Sequence, residues 1–292
     1  QYDGAPVNRS ANETSTDNVE VRRNKYPRSD NDWENFDVLH INRLPSAANF
    51  MGYPTKELAL QGDKSQSPYF QSLNGTWKFH FVPRSDERPM DFQKGYDVSG
   101  WDDIKVPSNW ELQGFGYPFY VGSGYGIKKN PPLIAVENSP VGSYRRTFTI
   151  PAHWNKRQII LYFGGVASAF YVWVNGEKVG YSQDSKTPSE FDITPYVKQG
   201  ENEIAVQVFK FSDGYYLEDQ DYWRFAGIQR DVYVYARSET HVRDYEVVTD
   251  LDGEYKNADF HLFVELGKAG EGKIKGAEVE VSLLDKAGKS IY

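Results

Sequence analysis

The 292-residue sequence predicts an all-β protein whose main unit is a β-sandwich or jelly roll. Between residues 75 and 237, short apolar runs alternate with polar residues, and Gly, Pro, Asn and Asp separate the runs. Such alternation is typical of half-buried strands, and this stretch has no convincing helical periodicity. Aromatic residues, which favour strands, make up 15% of the chain. Together these features predict many short strands packed as sheets.

Two segments precede the predicted strands. Residues 1–31 are polar and lack apolar periodicity, so we predict a flexible arm. From Trp33 to Pro68 the apolar residues are scattered without a sustained helical period, which predicts an extended segment that crosses the surface of a larger unit. We therefore place the first domain at residues 32–237, with the extended segment as its N-terminal part.

The strands of this domain follow from their alternation and from their aromatic and β-branched content. Asn175 and Gly176 separate two such runs and predict a tight hairpin, because both residues tolerate a positive φ. The predicted strands are 76–82, 143–150, 158–163, 170–174, 177–181, 203–209 and 231–235.

A second pattern begins after Arg237. Further strands are predicted at 245–249, 260–266 and 277–284, with Gly, Lys and Asp between them. A complete sandwich needs about seven strands in ~100 residues. We therefore expect residues 238–292 to be a truncated domain.

Charge and composition argue against several functions. The net charge is −8 and no Lys/Arg-rich run occurs, so we expect neither nucleic acid nor a membrane surface as a partner, whereas a neutral sugar fits. The absence of cysteine excludes disulfides and thiolate zinc sites. No apolar run approaches the ~20 residues of a membrane span. Because the chain begins at Gln1 and has a polar leader, we expect a periplasmic or exported bacterial protein, with a cytoplasmic one as the alternative.

The loop from residue 210 to 230 is the most unusual stretch. Carboxylates beside aromatic rings can hold sugar hydroxyls or a hard cation. Alternatively, the acids pair with Arg224 and Arg230 or cap turns, and composition alone favours this structural interpretation. The acids of the loop are Asp213, Glu218, Asp219 and Asp221.

A second candidate loop spans residues 106–132 and is rich in Gly, Tyr and Phe. It can present aromatic surface, although a structural connection between strands is the simpler interpretation. Glycoside cleavage needs two carboxyl groups flanking the scissile bond, and sequence spacing nominates no such pair among the 41 acids. The five histidines are scattered and form no metal-binding or catalytic motif.

Several stretches, in order from residue 32 to 237, resemble the N-terminal part of the β-galactosidases of glycoside hydrolase family 2. Their length and unusual composition make chance agreement implausible. They are DWEN (32–35), INR (41–43), SLNGTWKF (72–79), VPSNWELQGFG (106–116), NPP (130–132), WVNGEKVGYSQDSKTPSEFDIT (173–194) and SDGYYLEDQDYWRFAGIQRDV (212–232).

This resemblance implies an architecture and an activity. The first domain would be a galactose-binding-domain-like jelly roll, followed by the start of an immunoglobulin-like domain. In the family a TIM barrel with two catalytic glutamates comes next, and magnesium is expected only at that barrel. The chain would thus be the non-catalytic N-terminal portion of a retaining β-galactosidase that forms homo-oligomers. A stand-alone carbohydrate-binding module is the alternative, because fold does not fix function.

One residue role carries over from the family, and one departure stands beside it. The second Asp of the EDQD motif, here Asp221, is implied to contact the galactosyl hydroxyls and to help bind sodium. The family's Asn after a Pro-x-Tyr sequence often reaches the same pocket, but Gly122 stands at that position here. No catalytic residue is assigned, because the Asn-Glu pairs at 12–13 and 202–203 lack the family's preceding Trp-Gly.

Overall fold

A computed structural model describes residues 27, 29–122, 124–218 and 220–291 of the chain. Almost all of the predicted arm, residues 1–31, lies outside the described residues. Within them the chain is nearly all β, which confirms the predicted fold class. The described helices are α1 (Lys56–Gln61) and the 3₁₀ turns Asp32–Glu34, Lys64–Gln66, Ser85–Glu87, Glu111–Gln113, Val136–Asn138, Ala152–Trp154, Thr194–Tyr196 and Asp213–Leu217.

Each strand predicted for the first domain is present, with ends shifted by a few residues. The described strands are β1 His40–Ile41, β2 Phe70–Ser72, β3 Gly75–Val82, β4 Asp102–Val106, β5 Phe119–Val121, β6 Val141–Ile150, β7 Gln158–Phe163, β8 Val166–Ala167, β9 Ala169–Val174, β10 Glu177–Gln183, β11 Ser189–Asp192, β12 Gly200–Phe209, β13 Tyr222–Arg224, β14 Gly227–Ile228, β15 Val232–Arg237, β16 Thr240–Leu251 and β17 Ala258–Lys268.

Two antiparallel sheets form the sandwich. Across the described residues, the larger sheet has seven strands in the order β1-β10-β9-β12-β6-β3-β4. The smaller sheet has four strands in the order β11-β7-β15-β2. Neighbours in space are mostly distant in sequence, so the pairing joins segments that local pattern alone cannot connect.

The core between the sheets is built from large rings. Trp77, Phe79, Trp110 and Tyr144 are at most 1% exposed and contact one another. The Trp77 indole donates to the Leu73 carbonyl at 2.8 Å, which satisfies its buried N–H. Burying each ring stabilises the fold by about 1.5–3 kcal/mol relative to exposure. The core therefore accounts for part of the high aromatic content.

The Asn-Gly hairpin is confirmed between β9 and β10. Asn175 has a φ of 52° and Gly176 a φ of 86°, the two positive values that a type I′ turn requires. The Asn175 side chain also donates to the Tyr196 carbonyl at 2.9 Å, which ties the turn to a neighbouring loop.

The segment after β1 crosses the outer face of the smaller sheet. The Leu44 amide donates to the Glu190 carbonyl at 2.8 Å, and the Ala48 amide donates to the Asp244 carboxylate at 2.8 Å. We call residues 44–54 the strap. The short helix α1 follows it, where the Thr55 hydroxyl caps the helix start.

After the sandwich, β16 and β17 pair as a long antiparallel hairpin. The predicted third strand at 277–284 is wrong: the described residues after β17 contain only an isolated bridge between Leu284 and Ser290. A strand requires a hydrogen-bonding neighbour along its length, and among the described residues this run pairs only at its end, where Leu284 bridges Ser290. No helix among the described residues is long and apolar enough to span a membrane.

Candidate functional site

Two loops singled out from the sequence meet at one surface. Strands β5 and β13 pair antiparallel, with Trp223 opposite Tyr120 and Arg224 opposite Phe119. β5 belongs to the aromatic loop 106–132, and β13 belongs to the acidic loop 210–230. This short ladder therefore fixes the two candidate loops against each other.

Asp221 lies at the bend immediately before β13 and is exposed to solvent. The Tyr120 hydroxyl donates a hydrogen bond to Asp221 Oδ1, which raises the pKa of the Tyr120 phenol. The rings of Tyr120 and Trp223 lie 5.8 Å apart, and their residues are 54% and 51% exposed. The surface thus presents a carboxylate beside two accessible rings, a combination suited to sugar hydroxyls and to stacking.

Gly122 borders this carboxylate directly. A Cβ built at Gly122 would lie 3.7 Å from Asp221 Oδ1 and 3.7 Å from the Tyr120 hydroxyl. These are ordinary van der Waals distances, and the backbone at Gly122 is not in the left-handed region. The position therefore accepts a side chain, and its glycine leaves space beside Asp221.

A buried ion pair supports the two loops from below. Lys210 Nζ lies 2.6 Å from Glu111 Oε1, and the two side chains are 7% and 1% exposed. The other carboxylate oxygen of Glu111 accepts the Ala226 amide at 3.1 Å, and Lys210 Nζ lies 5.2 Å from the Phe119 ring centroid. Glu111 belongs to the loop 106–132 and Lys210 to the loop 210–230, so the ion pair links the two loops in addition to the β5–β13 ladder.

The remaining described acids of the loop 210–230 have structural roles. Glu218 accepts both the amide and the hydroxyl of Ser185, at 2.8 and 2.6 Å, while burial raises its pKa. Asp213 is 1% exposed, and burial raises its pKa to about 6. Its Oδ1 accepts the Gly214 amide at 2.9 Å. These two acids therefore help to hold the loop through Ser185 and Gly214, and neither contact is the predicted pairing with an arginine. Asp219 lies outside the described residues.

The two arginines named as structural partners contact carbonyls. Arg224 donates to the Glu218 carbonyl at 2.7 Å, and its guanidinium lies 4.5 Å from the Tyr222 ring centroid. Arg230 donates to the Lys186 carbonyl at 2.8 Å. Both arginines thus help to hold the loop in place.

The chain offers at most part of a cation site at this surface. Among the described residues, no three His, Cys, Asp or Glu side chains cluster to hold a metal ion. Sodium takes oxygen ligands, and Asp221 with the Tyr120 phenol supplies a carboxylate and a hydroxyl oxygen. These donors fit a sodium ion whose other ligands come from elsewhere.

Sequence reasoning singled out Asp221 but missed its partner. Tyr120 is 101 residues away, and nothing in the local pattern shows that β5 and β13 pair. The Glu111–Lys210 pair was missed for the same reason. The Tyr in the Pro-x-Tyr sequence beside Gly122 was the only available hint.

Comparison with known proteins identifies the main domain. Residues 70–238, more than half of the chain, match the family described as "Glycosyl hydrolases family 2, sugar binding domain". A β-galactosidase of Priestia megaterium is 43% identical over 267 residues, and one of Halalkalibacterium halodurans is 44% identical over 244 residues. These matches cover 90% and 81% of this chain but 26% and 24% of the relatives. The chain thus spans about a quarter of the length of these relatives.

Solved structures support the fold. A β-glucuronidase of an uncultured Clostridium sp. superposes with a TM-score of 0.55 at 18% identity, covering 84% of this chain and 39% of that one. A Ruminococcus gnavus β-glucuronidase superposes with a TM-score of 0.56 at 22% identity, covering 77% and 38%. At these identities the likeness concerns the fold. The match over residues 70–238 shows that the chain belongs to glycoside hydrolase family 2 and carries its sugar-binding domain.

Proposed function

We propose that the chain is the N-terminal, non-catalytic portion of a retaining β-galactosidase that hydrolyses terminal β-D-galactosides. The relatives at 43% and 44% identity, which carry that name, support the activity. Retaining hydrolysis uses two carboxyl groups about 5–5.5 Å apart, one as nucleophile and one as acid/base. We assign neither to this chain, so both would come from another domain of the enzyme.

The observation that carries the proposal is the ladder between β5 and β13. It presents Asp221, Tyr120 and Trp223 together on a surface that the buried Glu111–Lys210 pair holds in place. We infer that this surface forms one wall of the galactoside pocket. There the Asp221 carboxylate would accept hydrogen bonds from sugar hydroxyls, and with Tyr120 it would supply oxygens to a sodium ion.

Exposed apolar side chains near this wall support contact with the rest of the enzyme. Tyr117 is 75% exposed, and Leu217 is 83% exposed. Tyr117 lies in the loop 106–132 and Leu217 in the loop 210–230, so both belong to the segments that frame Asp221. Exposed apolar groups around a polar site are typical of an interaction surface. We propose that the catalytic domain covers them and completes the pocket.

The alternative is a stand-alone carbohydrate-binding module. The exposed aromatic pair at Tyr120 and Trp223 favours it, because flat rings are what such modules use. Against it, the hairpin after the sandwich exposes large apolar side chains such as Phe260 and Phe263, which need a covering domain. A module should be retarded on an immobilised neutral galactoside, whereas one pocket wall provides too few contacts to be retarded.

The test is hydrolysis of matched chromogenic substrates. The full-length enzyme that contains this chain should cleave a β-galactoside in clear preference to the corresponding β-glucuronide, and it should release the β-anomer first. The pure 1–292 chain should cleave neither. Turnover by the isolated chain, or a preference of the full-length enzyme for the glucuronide, would overturn the proposal.

A further inference from the structure

A cleft of about 510 Å³ lies on the outer face of the smaller sheet. The strap covers it on one side, and the beginning of β16 borders it on another. Its lining includes no residue of the loops 106–132 and 210–230 that form the Asp221 surface. Its volume lies within the range of ~300–1,000 Å³ that is usual for small-molecule sites. The cleft is therefore distinct from the wall proposed above.

The floor of the cleft is unusual for the outer face of a sandwich sheet, which is normally polar and solvated. Tyr162 and Tyr235 line it, and Tyr162 stacks on Tyr233 with ring centroids 4.3 Å apart. Glu190 lies opposite Tyr162 in the ladder and accepts the Tyr235 hydroxyl at 2.9 Å. Burial raises the pKa of Glu190. The floor thus combines flat tyrosine rings with a half-buried carboxyl group.

The rim of the cleft is basic. Arg157, Arg237 and Arg243 line it, whereas Glu190 is the acidic residue of the lining. His241 also lines it, but burial and the nearby Arg237 lower its pKa, so we expect it to be neutral at pH 7. The cleft therefore carries an excess of positive charge in a protein whose net charge is −8.

Two of the three arginines bond to neutral groups. Arg157 donates to the Ser238 hydroxyl at 3.2 Å and lies 3.7 Å from the centroid of the Tyr69 ring. Arg237 donates to the Gln158 side chain at 2.7 Å, and its positive charge also acts on the Glu190 carboxyl, where it opposes the rise in pKa that burial causes. Arg243 in contrast pairs with the Glu265 carboxylate at 2.9 Å. Guanidinium groups held by neutral partners retain N–H donors for an anion.

We propose that this cleft binds a small acidic saccharide, with its carboxylate at Arg157 and Arg237 and its ring against the tyrosines. Arginine suits the planar carboxylate, and the tyrosine rings suit the apolar face of a pyranose. Glu190, which accepts the Tyr235 hydroxyl through Oε1, and the hydroxyl of Tyr162, which accepts the Asn49 side-chain amide at 3.3 Å, line the cleft where the sugar hydroxyls would lie. The choice of a saccharide over other anions rests on the proposed glycosidase function, whereas the inference that the ligand is negatively charged rests on the arginines.

The test is a titration of the 1–292 chain with small-molecule probes, in which binding is measured by calorimetry and by amide NMR. Three probes separate the contributions: D-galacturonate, D-galactose with the same ring but no charge, and succinate with charge but no ring. We expect saturable galacturonate binding with a Kd of about 1 mM, and at least ~10-fold weaker binding of the other two. The shifted amides should lie in the strap and in residues 235–243.

Variants locate the site. Arg157→Ala should weaken galacturonate binding about tenfold, because it removes a charged donor at the rim. Arg84→Ala removes one positive charge at an exposed pair with Asp86, away from the cleft, and should leave binding unchanged. If Arg157→Ala proves unstable in a thermal melt, Arg237→Gln removes the second charge and should give the same loss.

Three outcomes would overturn the cleft proposal. If galactose bound as tightly as galacturonate, the arginines would not contribute to binding. If succinate bound as tightly as galacturonate, the cleft would not be specific for a saccharide. If galacturonate binding did not saturate, or if it were lost in Asp221→Asn but not in Arg157→Ala, the cleft would not be the binding site. None of these results bears on galactoside hydrolysis by the full-length enzyme, so the two proposals fail separately.

Discussion

The acidic loop 210–230 has an inner and an outer part that differ in burial. Asp213 and Glu218 face inward and are held by amides and hydroxyls, and the buried Lys210–Glu111 pair lies beneath. Asp221 faces outward and has an exposed phenol as its partner. Among the described acids of this loop, Asp213 and Glu218 therefore help to hold the loop, whereas Asp221 remains available to a ligand.

This difference explains how an exposed carboxylate can be held in position. A surface ion pair or hydrogen bond contributes little by itself and is screened by salt. Position must therefore come from beneath, where the β5–β13 ladder and the Lys210–Glu111 pair join the two loops. Changes in the inner part should therefore alter stability, and changes in the outer part should alter ligand binding.

The largest effect is expected from breaking the buried ion pair. Lys210→Met leaves the Glu111 carboxylate, 1% exposed, without its partner, which should lower the free energy of unfolding by about 3–5 kcal/mol. Chemical denaturation measures this loss. The double variant Glu111→Gln/Lys210→Met should recover part of it, because no buried charge remains and the amide oxygen can still accept the Ala226 N–H.

The matched control is Lys78→Met. Lys78 pairs with Asp103 at 3.0 Å, but both side chains are well exposed, so the change should stay within about 0.5 kcal/mol. Equal losses for Lys78→Met and Lys210→Met would show that burial does not distinguish the inner part.

Next in size is the effect of Asp221→Asn on the full-length enzyme. Because the neutral amide is a weaker acceptor for sugar hydroxyls and a weaker sodium ligand, kcat/KM for a β-galactoside should fall about 10- to 100-fold, or ~1.4–2.7 kcal/mol. The response of activity to sodium should fall with it. Stability should change by no more than about 0.5 kcal/mol, since the residue is exposed.

Asp103→Asn is the control for this change, because it removes an exposed carboxylate outside both candidate loops. It should leave kcat/KM and the sodium response unaltered. If Asp221→Asn behaves in the same way while the loop stays folded, Asp221 serves only the scaffold.

A pH-dependent effect is expected at Asp213. Its folded pKa of about 6 exceeds the ordinary value of 3.8, so the folded state binds the proton more tightly than the unfolded state. The contribution of Asp213 to stability is therefore full below pH 3.8 and is lost as the pH rises towards 6. Asp213→Asn should stabilise the protein at pH 7 by about 1–2 kcal/mol more than at pH 4.

Asp86→Asn is the control, because the pKa of Asp86 is shifted in the opposite direction to that of Asp213. The pKa of Asp86 is lowered by its hydrogen bond to Arg84, so loss of this carboxylate should not stabilise the protein at pH 7. Melting curves at pH 4 and pH 7 compare the two variants. A gain for Asp213→Asn that is the same at both pH values would show that the carboxyl is not protonated more readily in the folded state.

Features that depend on interactions between residues close in sequence were predicted correctly, whereas contacts between residues far apart in sequence were not. The Asn175-Gly176 turn and the alternating strands depend on neighbours in sequence, and the structure confirms them. The strand predicted at 277–284 is absent because alternation does not supply a hydrogen-bonding neighbour. The Tyr120–Asp221 contact and the Lys210–Glu111 pair span 101 and 99 residues, so only the folded topology reveals them.

The smallest effect on stability is expected at Gly122, where the outer surface has space. Gly122→Asn should change the free energy of unfolding by no more than about 0.5 kcal/mol, because its Cβ meets only van der Waals neighbours at 3.7 Å or more. The new amide would lie beside Asp221 and could bond a substrate hydroxyl, so KM should change more than kcat. Gly122→Ala adds the Cβ without the amide and serves as the control. If both variants alter KM equally, the space at Gly122 matters and the hydrogen bond does not; if neither does, the substrate does not reach this part of the wall.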